Sequence, residues 1–261
     1  MPPIAMLHHV SDDVALNGLG RWCVSHEKYL QLLNFIEEND YRTVTFEDLV
    51  EGGYSRSKSV ILTFDDCPKE LLSFAVPELL RRNMKAVFYM PTAYIGGYNE
   101  WDVQEARPKT DLMSEDDIRG LVASGMEIGS HAHKHIELEY ETEDDAYRAL
   151  YTSKKILEEI IDKKILTVAY PYGSVPKNHI NIAKRLGFVY GLSVYNPIVS
   201  KYSIRRWIFD NDDTAATMRE KMSVFYSMQR WWYDKWFVWS KQVPRYMYRK
   251  YSGLKSIARK K

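Results

Sequence analysis

The sequence is poor in cysteine and lacks both a long apolar run and a leader-like start. Its two cysteines, Cys23 and Cys67, form no Cys-x-x-Cys pair, which excludes a disulfide scaffold and a cysteine zinc knuckle. No stretch of about 18 apolar residues occurs, so no membrane-spanning helix is expected. The first residues carry no basic segment followed by an apolar one, so no signal peptide is expected either. We therefore expect a reduced, cytoplasmic setting.

The composition is that of a globular protein. Hydrophobic residues make up 45% of the chain and charged residues 27%, which excludes wholesale disorder. With 13 glycines and 10 prolines among 261 residues, collagen-like and linker-like chains are excluded as well. The length suits one large domain or two small ones.

A formal net charge of +1 conceals an uneven distribution of charge. Residues 222–261 hold ten lysines and arginines but a single acid, Asp234, for a net charge of +9, and the other 221 residues carry −8. The same forty residues contain four of the seven tryptophans. This asymmetry divides the chain into a body, residues 1–221, and a basic aromatic tail, residues 222–261.

Strand-like and helix-like segments alternate along the body. Apolar runs with β-branched residues predict strands at 4–10, 59–65, 85–91, 126–130, 166–170, 188–194 and 204–209. Apolar residues at three- and four-residue spacing predict helices at 26–38, 71–83, 114–124, 144–162 and 177–186, with another beginning near residue 213. This alternation predicts a parallel α/β fold, and the number of units favours a barrel over an open sheet.

Polar residues follow four of the predicted strands. They stand at 63–66, 130–135, 170–173 and 8–9. In a parallel barrel the carboxyl ends of the strands carry the functional groups. One carboxylate and two imidazoles from separate strand ends make the open three-ligand set of a catalytic zinc-type site, and an adjacent carboxylate stays free as a base. Each motif alone is more often a turn, a cap or a solvated loop, but the combination favours an active site.

These motifs resemble those of the polysaccharide deacetylases of carbohydrate esterase family four, also called the NodB-homology domain. The matching runs are TFDD at 63–66, GSHxxxH at 129–135 and AYPYG at 169–173, and the resemblance covers about residues 4–210. It implies a distorted (β/α) barrel, so the body, residues 1–221, is expected to be the catalytic domain. The basic aromatic extension, residues 222–261, lies beyond the resemblance and is expected to be helical from its own periodicity.

The resemblance also implies roles for individual residues. Asp66, His131 and His135 would bind a divalent metal, most often zinc in this family. Asp65 would be the general base that activates water. Tyr172 would offer its backbone N–H to the oxyanion and its ring to the sugar.

The general acid is less directly implied. Many members supply a histidine from a late Leu-x-x-His motif, which this chain lacks, since its last histidine is His179. Members resembling exopolysaccharide poly-N-acetylglucosamine deacetylases use a histidine from an N-terminal strand, and residues 4–10 match that strand. This match places His8 in the acid role, with His9 as the runner-up and a strand-end cap as the alternative for His8.

The sequence departs from the family pattern at several positions. Cys67 stands where glycine commonly follows the two aspartates, so we expect an altered turn or a small apolar wall. Ala132 fills a Ser/Thr position, so a hydrogen bond often made there is absent. Tyr170 replaces an arginine that orients the base. Arg206 lies where related members carry an Ile-Pro-Arg run and would pair with Asp65, unless it is a surface arginine.

Substrate contacts are expected from two places. Trp101 lies in the long irregular stretch 92–112 and would stack on a sugar, while Asp102 would contact sugar hydroxyls or a neighbouring polar group. Loop packing is the alternative for both residues. Pro171 of the third motif is expected beside the sugar as well.

The sequence as a whole predicts a metal-dependent hydrolase that removes the N-acetyl group from an amino sugar. The substrate would be a cell-surface polysaccharide or its lipid-linked precursor. Two alternatives stay open: a deformylase of a lipid-linked amino sugar, and a non-catalytic relative that binds a glycan or a membrane.

The tail has the composition of an interfacial membrane helix. Its aromatic residues recur at three- and four-residue steps up to Pro244, among lysines and arginines. Packing against the barrel is one alternative, and single-stranded nucleic acid is another, against which the −8 charge of the body speaks. We therefore expect no nucleic-acid partner, and a protein bound peripherally to the inner face of the cytoplasmic membrane beside polyprenyl-linked sugars.

Overall fold

The computed structural model describes residues 1–55, 58–194, 200–223, 225–226 and 232. The predicted tail, 222–261, lies almost wholly outside these residues, so its helix, its membrane contact and its separation from the body stay predictions. Where the chain is described just beyond residue 221, Tyr226 packs against the core and Phe225 is exposed. None of the described helices is both long enough and apolar enough to cross a membrane.

The described residues form eleven strands and eight α-helices. The strands are β1 (Ile4–Leu7), β2 (His9–Val10), β3 (Cys23–Val24), β4 (Arg42–Thr43), β5 (Ser59–Asp65), β6 (Val87–Met90), β7 (Glu127–Ser130), β8 (Thr167–Ala169), β9 (Tyr190–Ser193), β10 (Ile204–Arg205) and β11 (Trp207–Ile208). The helices are α1 (His26–Glu38), α2 (Phe46–Glu51), α3 (Ala75–Arg81), α4 (Glu100–Gln104), α5 (Glu115–Ala123), α6 (Glu143–Ile161), α7 (His179–Arg185) and α8 (Ala215–Lys221).

The main sheet closes on itself through one short segment. Its strands are parallel and run in the order β10-β9-β8-β7-β6-β5-β1-β11. The two strands at the ends of this order, β10 and β11, follow each other in the chain and are separated only by Arg206. The same segment therefore pairs with β9 on one side and with β1 on the other, which confirms the predicted (β/α) barrel. The predicted strand 204–209 is thus two short strands that meet at Arg206.

Alternation along each strand sorts its side chains between the two faces of the barrel wall. Ile61 of β5 belongs to an inner apolar cluster with Ile4 and Leu192, whereas Leu62 and Phe64 pack in the cluster that faces the helices. Because successive side chains of a strand point to opposite faces, Asp65 follows Ile61 on the inner face. The alternation of side chains along β5 therefore places the carboxylate of Asp65 inside the barrel, at the carboxyl-terminal end of the strands, which is called the upper end below.

The helices begin where the sequence offers caps. Ser25 accepts a hydrogen bond from the backbone of Lys28, and α1 spans the predicted residues 26–38. Ser114 and Asp117 form a reciprocal capping box at the start of α5. The predicted helix 71–83 is wrong at its start, because Pro77 would stand in its interior. The structure instead has a 3₁₀ turn, Lys69–Leu72, and then α3, which holds Pro77 in its first turn.

Several short elements escape prediction. Strand β4 and helix α2 close the lower end of the barrel, and a 3₁₀ segment, Val14–Trp22, covers part of its upper end. Each is too short or too irregular to carry a periodic pattern. Glu127 at the start of β7 accepts a hydrogen bond of 2.9 Å from the backbone N–H of Glu47, which lies in the first turn of α2. The side chain of a barrel strand therefore caps the N-terminus of this helix.

Candidate active site

Strand ends bring nearly all of the predicted site residues to one cavity of about 230 Å³ at the upper end of the barrel. The cavity is lined by His8, Asp65, Asp66, Trp101, Asp102, His131, His135, Tyr172 and Arg206 of the predicted set. Pro171 is buried and is not among the described residues that line the cavity, so its place beside the sugar stays a prediction. Residues distant in sequence thus meet as parallel strand ends require.

Tight turns aim these side chains into the cavity. Asp66, Cys67, Ala132 and Tyr172 adopt positive φ angles of 69°, 53°, 61° and 56°. Each lies within about three residues of the end of β5, β7 or β8, where the chain turns to leave the barrel. Residues other than glycine in this region cost of the order of 1 kcal/mol each. Cys67 therefore keeps a left-handed turn without glycine, and it is fully buried rather than part of the cavity wall.

Asp66, His131 and His135 form a compact set of metal ligands. Asp66 Oδ1 lies 3.4 Å from His131 Nε2 and 3.3 Å from His135 Nε2. This oxygen is buried and has no hydrogen-bond donor among the described residues. Burial, with the charges of Asp65 and Asp102, raises the pKa of Asp66 well above its ordinary value. A carboxylate oxygen left without a donor between two imidazole nitrogens fits a divalent cation, and one carboxylate with two histidines is a zinc-type donor set.

The two histidines of this set are oriented differently. His131 donates a 2.7 Å hydrogen bond from Nδ1 to the carbonyl of Ala169, which turns Nε2 toward Asp66. His135 Nδ1 is buried and has no partner among the described residues. Burial lowers the pKa of both imidazoles, most strongly that of His135, so both are neutral and able to act as ligands at neutral pH.

Asp65 is held by Arg206 rather than by the metal ligands. The guanidinium donates two hydrogen bonds of 2.6 Å to the two carboxylate oxygens, and a third of 3.1 Å to Thr63 Oγ1. Burial opposes the charge of Asp65, but Arg206 and His131 more than offset it and hold its pKa below the ordinary value. The pairing foreseen between Arg206 and Asp65 is therefore present in the structure. Tyr170 instead donates its hydroxyl to the carbonyl of Tyr202.

The structure separates His8 from its neighbour His9. His8 interrupts the predicted strand 4–10, and its Nε2 lies 4.0 Å from Asp65 Oδ2. Its ring packs against Trp22 with centroids 4.7 Å apart, and burial lowers its pKa to about 3. His9 also borders the cavity but bonds through Nδ1 to Glu70 Oε1 at 2.5 Å. Only His8 is thus directed at the base.

The predicted substrate residues occupy different environments. Tyr172 is 47% exposed at the mouth of the cavity, where a sugar can reach its ring. Trp101 is only 8% exposed, and its face lies against the ring of His135 with centroids 4.4 Å apart. Asp102 accepts hydrogen bonds of 3.1 Å from both Arg107 and Asn99. The loop that carries Trp101 and Asp102 therefore lines the cavity and also contacts His135, one of the three metal-ligand candidates.

Other residues of the cavity carried no signal in the sequence. Leu19, Arg21 and Trp22 of the 3₁₀ segment line one wall, and Arg107 lines another. None follows a predicted strand, so the rule that located the motifs did not reach them. His133, the middle histidine of the 130–135 run, is half-buried and lies 3.0 Å from Thr92 Oγ1 through Nδ1, outside the metal cluster.

Three features indicate the class of protein to which this chain belongs. They are the barrel fold, the cluster of Asp66, His131 and His135, and the pairing of Asp65 with Arg206. The model of the polysaccharide deacetylase family matches residues 52–191, more than half of the chain. The chain therefore belongs to the polysaccharide deacetylase family, and several of its curated relatives are named as N-deacetylases, which are hydrolases of carbohydrate N-acetyl amides.

Individual relatives are distant. A Bacillus subtilis (strain 168) protein, YxkH, provisionally named a polysaccharide deacetylase, is 24% identical over 195 residues, which are 73% of this chain and 63% of that protein. The chain thus spans less than two thirds of that relative. The poly-beta-1,6-N-acetyl-D-glucosamine N-deacetylase of Staphylococcus aureus (strain N315) is 22% identical over 207 residues, 73% of this chain and 69% of that enzyme.

Solved structures confirm the fold. The Streptococcus pyogenes deacetylase PplD in complex with acetate aligns with a TM-score of 0.71 at 20% identity, over 85% of this chain and all of that one. The de-N-acetylase of Aggregatibacter actinomycetemcomitans aligns with a TM-score of 0.69 at 20% identity, over 84% of this chain and 98% of that one.

Proposed function

We propose that this protein is a metal-dependent N-deacetylase of an amino sugar in a cell-surface polysaccharide or its lipid-linked precursor. The observation that carries the proposal is the donor set of Asp66, His131 and His135 beside an Arg206-paired Asp65 in one cavity. The S. aureus relative acts on poly-beta-1,6-N-acetyl-D-glucosamine according to its name, which makes oligomers of N-acetylglucosamine the first substrates to test.

Asp66, His131 and His135 would hold the cation, with zinc as the metal proposed. A divalent cation held there supplies Lewis acidity toward the amide carbonyl and toward water. Asp65 is kept charged by Arg206, so it is ready to accept a proton from the attacking water at neutral pH. The bidentate pairing also fixes the plane of the carboxylate, which makes Arg206 a positioning residue.

His8 would deliver the proton to the leaving amine. With its pKa lowered to about 3, this imidazole is neutral before the reaction and must first receive the proton that it donates. Asp65, 4.0 Å away, is the source within reach, since it has just taken a proton from water. The proton would therefore pass from Asp65 through His8 to the nitrogen, which leaves as an amine.

Tyr172 would bind the other end of the reacting group. Its left-handed backbone turns the main chain at the mouth of the cavity, where its N–H is proposed to stabilise the oxyanion. Its half-exposed ring offers a sugar an aromatic face beside His135, with the ring centroids 4.4 Å apart. Asp102 is held in place by Arg107 and would orient a sugar hydroxyl.

Metal content and acetate release test the proposal together. Wild-type protein should bind one equivalent of zinc and release acetate from N-acetylglucosamine oligomers. Asp65→Asn should keep the metal and lose turnover, whereas Asp66→Asn should lose both. Asp116→Asn is the matched control, because that carboxylate is 94% exposed and lies outside the cavity.

Two results would contradict the proposal. Wild-type protein without metal affinity would leave a non-catalytic relative as the better account. Loss of metal in Asp65→Asn with retention in Asp66→Asn would reverse the roles of the two carboxylates. Parallel assays on N-acetyl and N-formyl substrates identify the acyl group, since both yield the same amine.

We further propose that the tail, residues 222–261, binds an anionic membrane surface and brings the enzyme to polyprenyl-linked sugars. Its net charge of +9 and four tryptophans support this placement. Full-length protein should co-sediment with vesicles containing anionic lipid and not with neutral ones, whereas a chain ending at residue 221 should bind neither. Equal behaviour of the two chains on anionic vesicles would contradict the proposal.

A further inference from the structure

The two histidines of the metal cluster are supported in unlike ways. A histidine that binds a metal almost always donates its other ring N–H to an acceptor, which fixes the tautomer and the plane of the ring. His131 follows this rule through the carbonyl of Ala169 at 2.7 Å. His135 does not, since its Nδ1 is buried without a partner among the described residues. Some other interaction must therefore hold its ring.

Two aromatic side chains contact the ring of His135. The indole of Trp101 stacks on one face with centroids 4.4 Å apart and an interplanar angle of 22°. Tyr172 approaches with its ring tilted by 68°, also at 4.4 Å. Trp101 is the better anchor of the two, because it is 8% exposed while Tyr172 is half-exposed. A stacked indole restricts rotation of the imidazole about its last side-chain bond.

Trp101 is itself held rigidly. The edge of Tyr94 packs on it with centroids 5.0 Å apart and an angle of 62°. Asn99, at the start of α4, donates hydrogen bonds to Asp102 Oδ2 and to the carbonyl of Pro108, and accepts one from the backbone of Thr110. These bonds fix the short helix that carries the indole.

The loop around Trp101 is also tied to the chain that follows Asp66. The backbone of Met113 donates to the carbonyl of Cys67 at 3.0 Å, and the backbone of Lys69 donates to the carbonyl of Asp111 at 2.8 Å. The loop that carries Trp101 is therefore hydrogen-bonded to the segment that follows Asp66, which belongs to the same metal cluster as His135. A displacement of this loop would change the distance between two metal ligands.

We propose that Trp101 is a positioning residue that fixes the ring of His135 for metal binding by stacking, in place of the hydrogen bond that His135 Nδ1 lacks. The proposal rests on the metal site of the proposed function. An imidazole becomes more positive when its Nε2 binds a cation, and the face of an indole attracts positive charge. The stack should therefore strengthen when metal binds, which couples Trp101 to metal affinity rather than to folding alone.

Metal affinity in three variants tests this role. Competition with a chromophoric chelator gives the Kd for zinc, and the visible spectrum of the cobalt-substituted protein reports the ligand geometry. Trp101→Met keeps most of the volume without a ring and should weaken zinc binding about tenfold or more, with a changed cobalt spectrum. Trp101→Phe restores a stacking ring and should bind zinc within about threefold of wild type. Trp22→Leu removes an indole that packs on His8 rather than on a metal-ligating histidine, and should leave the Kd unchanged.

Unfolding of the metal-free variants separates positioning from folding, since a loss of metal affinity without a matching loss of stability supports the proposal. If Trp101→Met does not fold, Tyr94→Leu replaces it, because this change removes the brace behind the indole, and an affinity two- to fivefold weaker is expected. Folded Trp101→Met with the wild-type Kd and cobalt spectrum would overturn the proposal, as would Trp101→Phe no better than Trp101→Met. A wild type that binds no metal would instead overturn the proposed function, and this proposal with it.

Discussion

The buried pair of Asp65 and Arg206 predicts a strong energetic coupling between a carboxylate and its cation. Each residue is only 3% exposed, and two hydrogen bonds of 2.6 Å join them. In Arg206→Met the carboxylate loses the cation to which it is bonded, and breaking a buried ion pair from one side costs about 3–5 kcal/mol. Asp65→Asn leaves the guanidinium in the same position, so we expect a similar loss of unfolding free energy.

The double variant Asp65→Asn/Arg206→Met removes both charges at once. Replacing a buried pair by neutral side chains is often close to neutral, so the double variant should be more stable than the sum of the single losses by about 3 kcal/mol or more. Urea unfolding of the metal-free full chain, followed by circular dichroism, measures all four proteins of the cycle. The exposed pair of Glu115 and Arg119, 2.8 Å apart, is the matched control and should show a coupling several-fold smaller. Additive losses at Asp65 and Arg206 would refute the reasoning.

Glu127, Gly129 and the metal cluster each support a further expectation. Burial raises the pKa of Glu127 from 4.5 to about 8, so the unfolded chain loses its proton first as the pH rises. The unfolding free energy of the wild type should therefore fall relative to that of Glu127→Gln as the pH rises from about 4.5 to 8, by at most about 5 kcal/mol. Urea unfolding of both proteins across this pH range measures the difference. Gly129→Ala places a Cβ 2.2 Å from the ring of Tyr89 and should lower the unfolding free energy by about 1–3 kcal/mol, also in urea. Zinc should raise the Tm of the wild type in a concentration-dependent way that a chelator reverses, and His131→Ala should show no such rise.

Each of these expectations has a result that contradicts it. Parallel pH profiles for wild type and Glu127→Gln would mean that the folded protein does not retain the proton. The control for Gly129 is Gly120→Ala on the exposed face of α5, where nothing beyond the neighbouring residues and the backbone of the helix itself lies within 4 Å of the new Cβ. That variant should be as stable as wild type or more so, and equal stability of Gly129→Ala would contradict the close packing. A zinc-dependent rise of Tm in His131→Ala would place the metal elsewhere.

Much of the barrel was predictable because its signals are local. The run 59–65 is apolar throughout as a buried parallel strand requires, and α1 carries both its cap, Ser25, and its periodic apolar face. The same local logic gathered the polar runs 63–66 and 130–135 at one end of a parallel barrel, since both directly follow buried strands. Within those runs, the choice of Asp66, His131 and His135 as metal ligands came from the resemblance to the family and not from the pattern.

What escaped prediction depends on contacts between distant parts of the chain. The break at Arg206 arises because β10 and β11 pair with opposite edges of the sheet, and nothing within residues 204–208 reveals those partners. The environment of Trp101 was equally hidden, since a loop tryptophan can face a sugar or a protein ring, and only the packed structure shows the ring of His135. Arg21 and Trp22 reach the cavity from a segment with no periodic pattern at all.

The seam of the barrel has a consequence for synthesis of the chain. Among the described residues, Arg206 is the last in sequence to line the cavity, and it stands between the two short strands that complete the ring. A nascent chain that has emerged only to residue 203 holds His8, Asp65 and the metal ligands, but its sheet is open and Asp65 has no counter-charge from Arg206. Because domains fold as units while translation proceeds at about 5–20 residues per second, the final ring closure and the pairing of Asp65 with Arg206 become one event. A ribosome-bound fragment would therefore gain the Arg206-paired base only after this short segment leaves the exit tunnel.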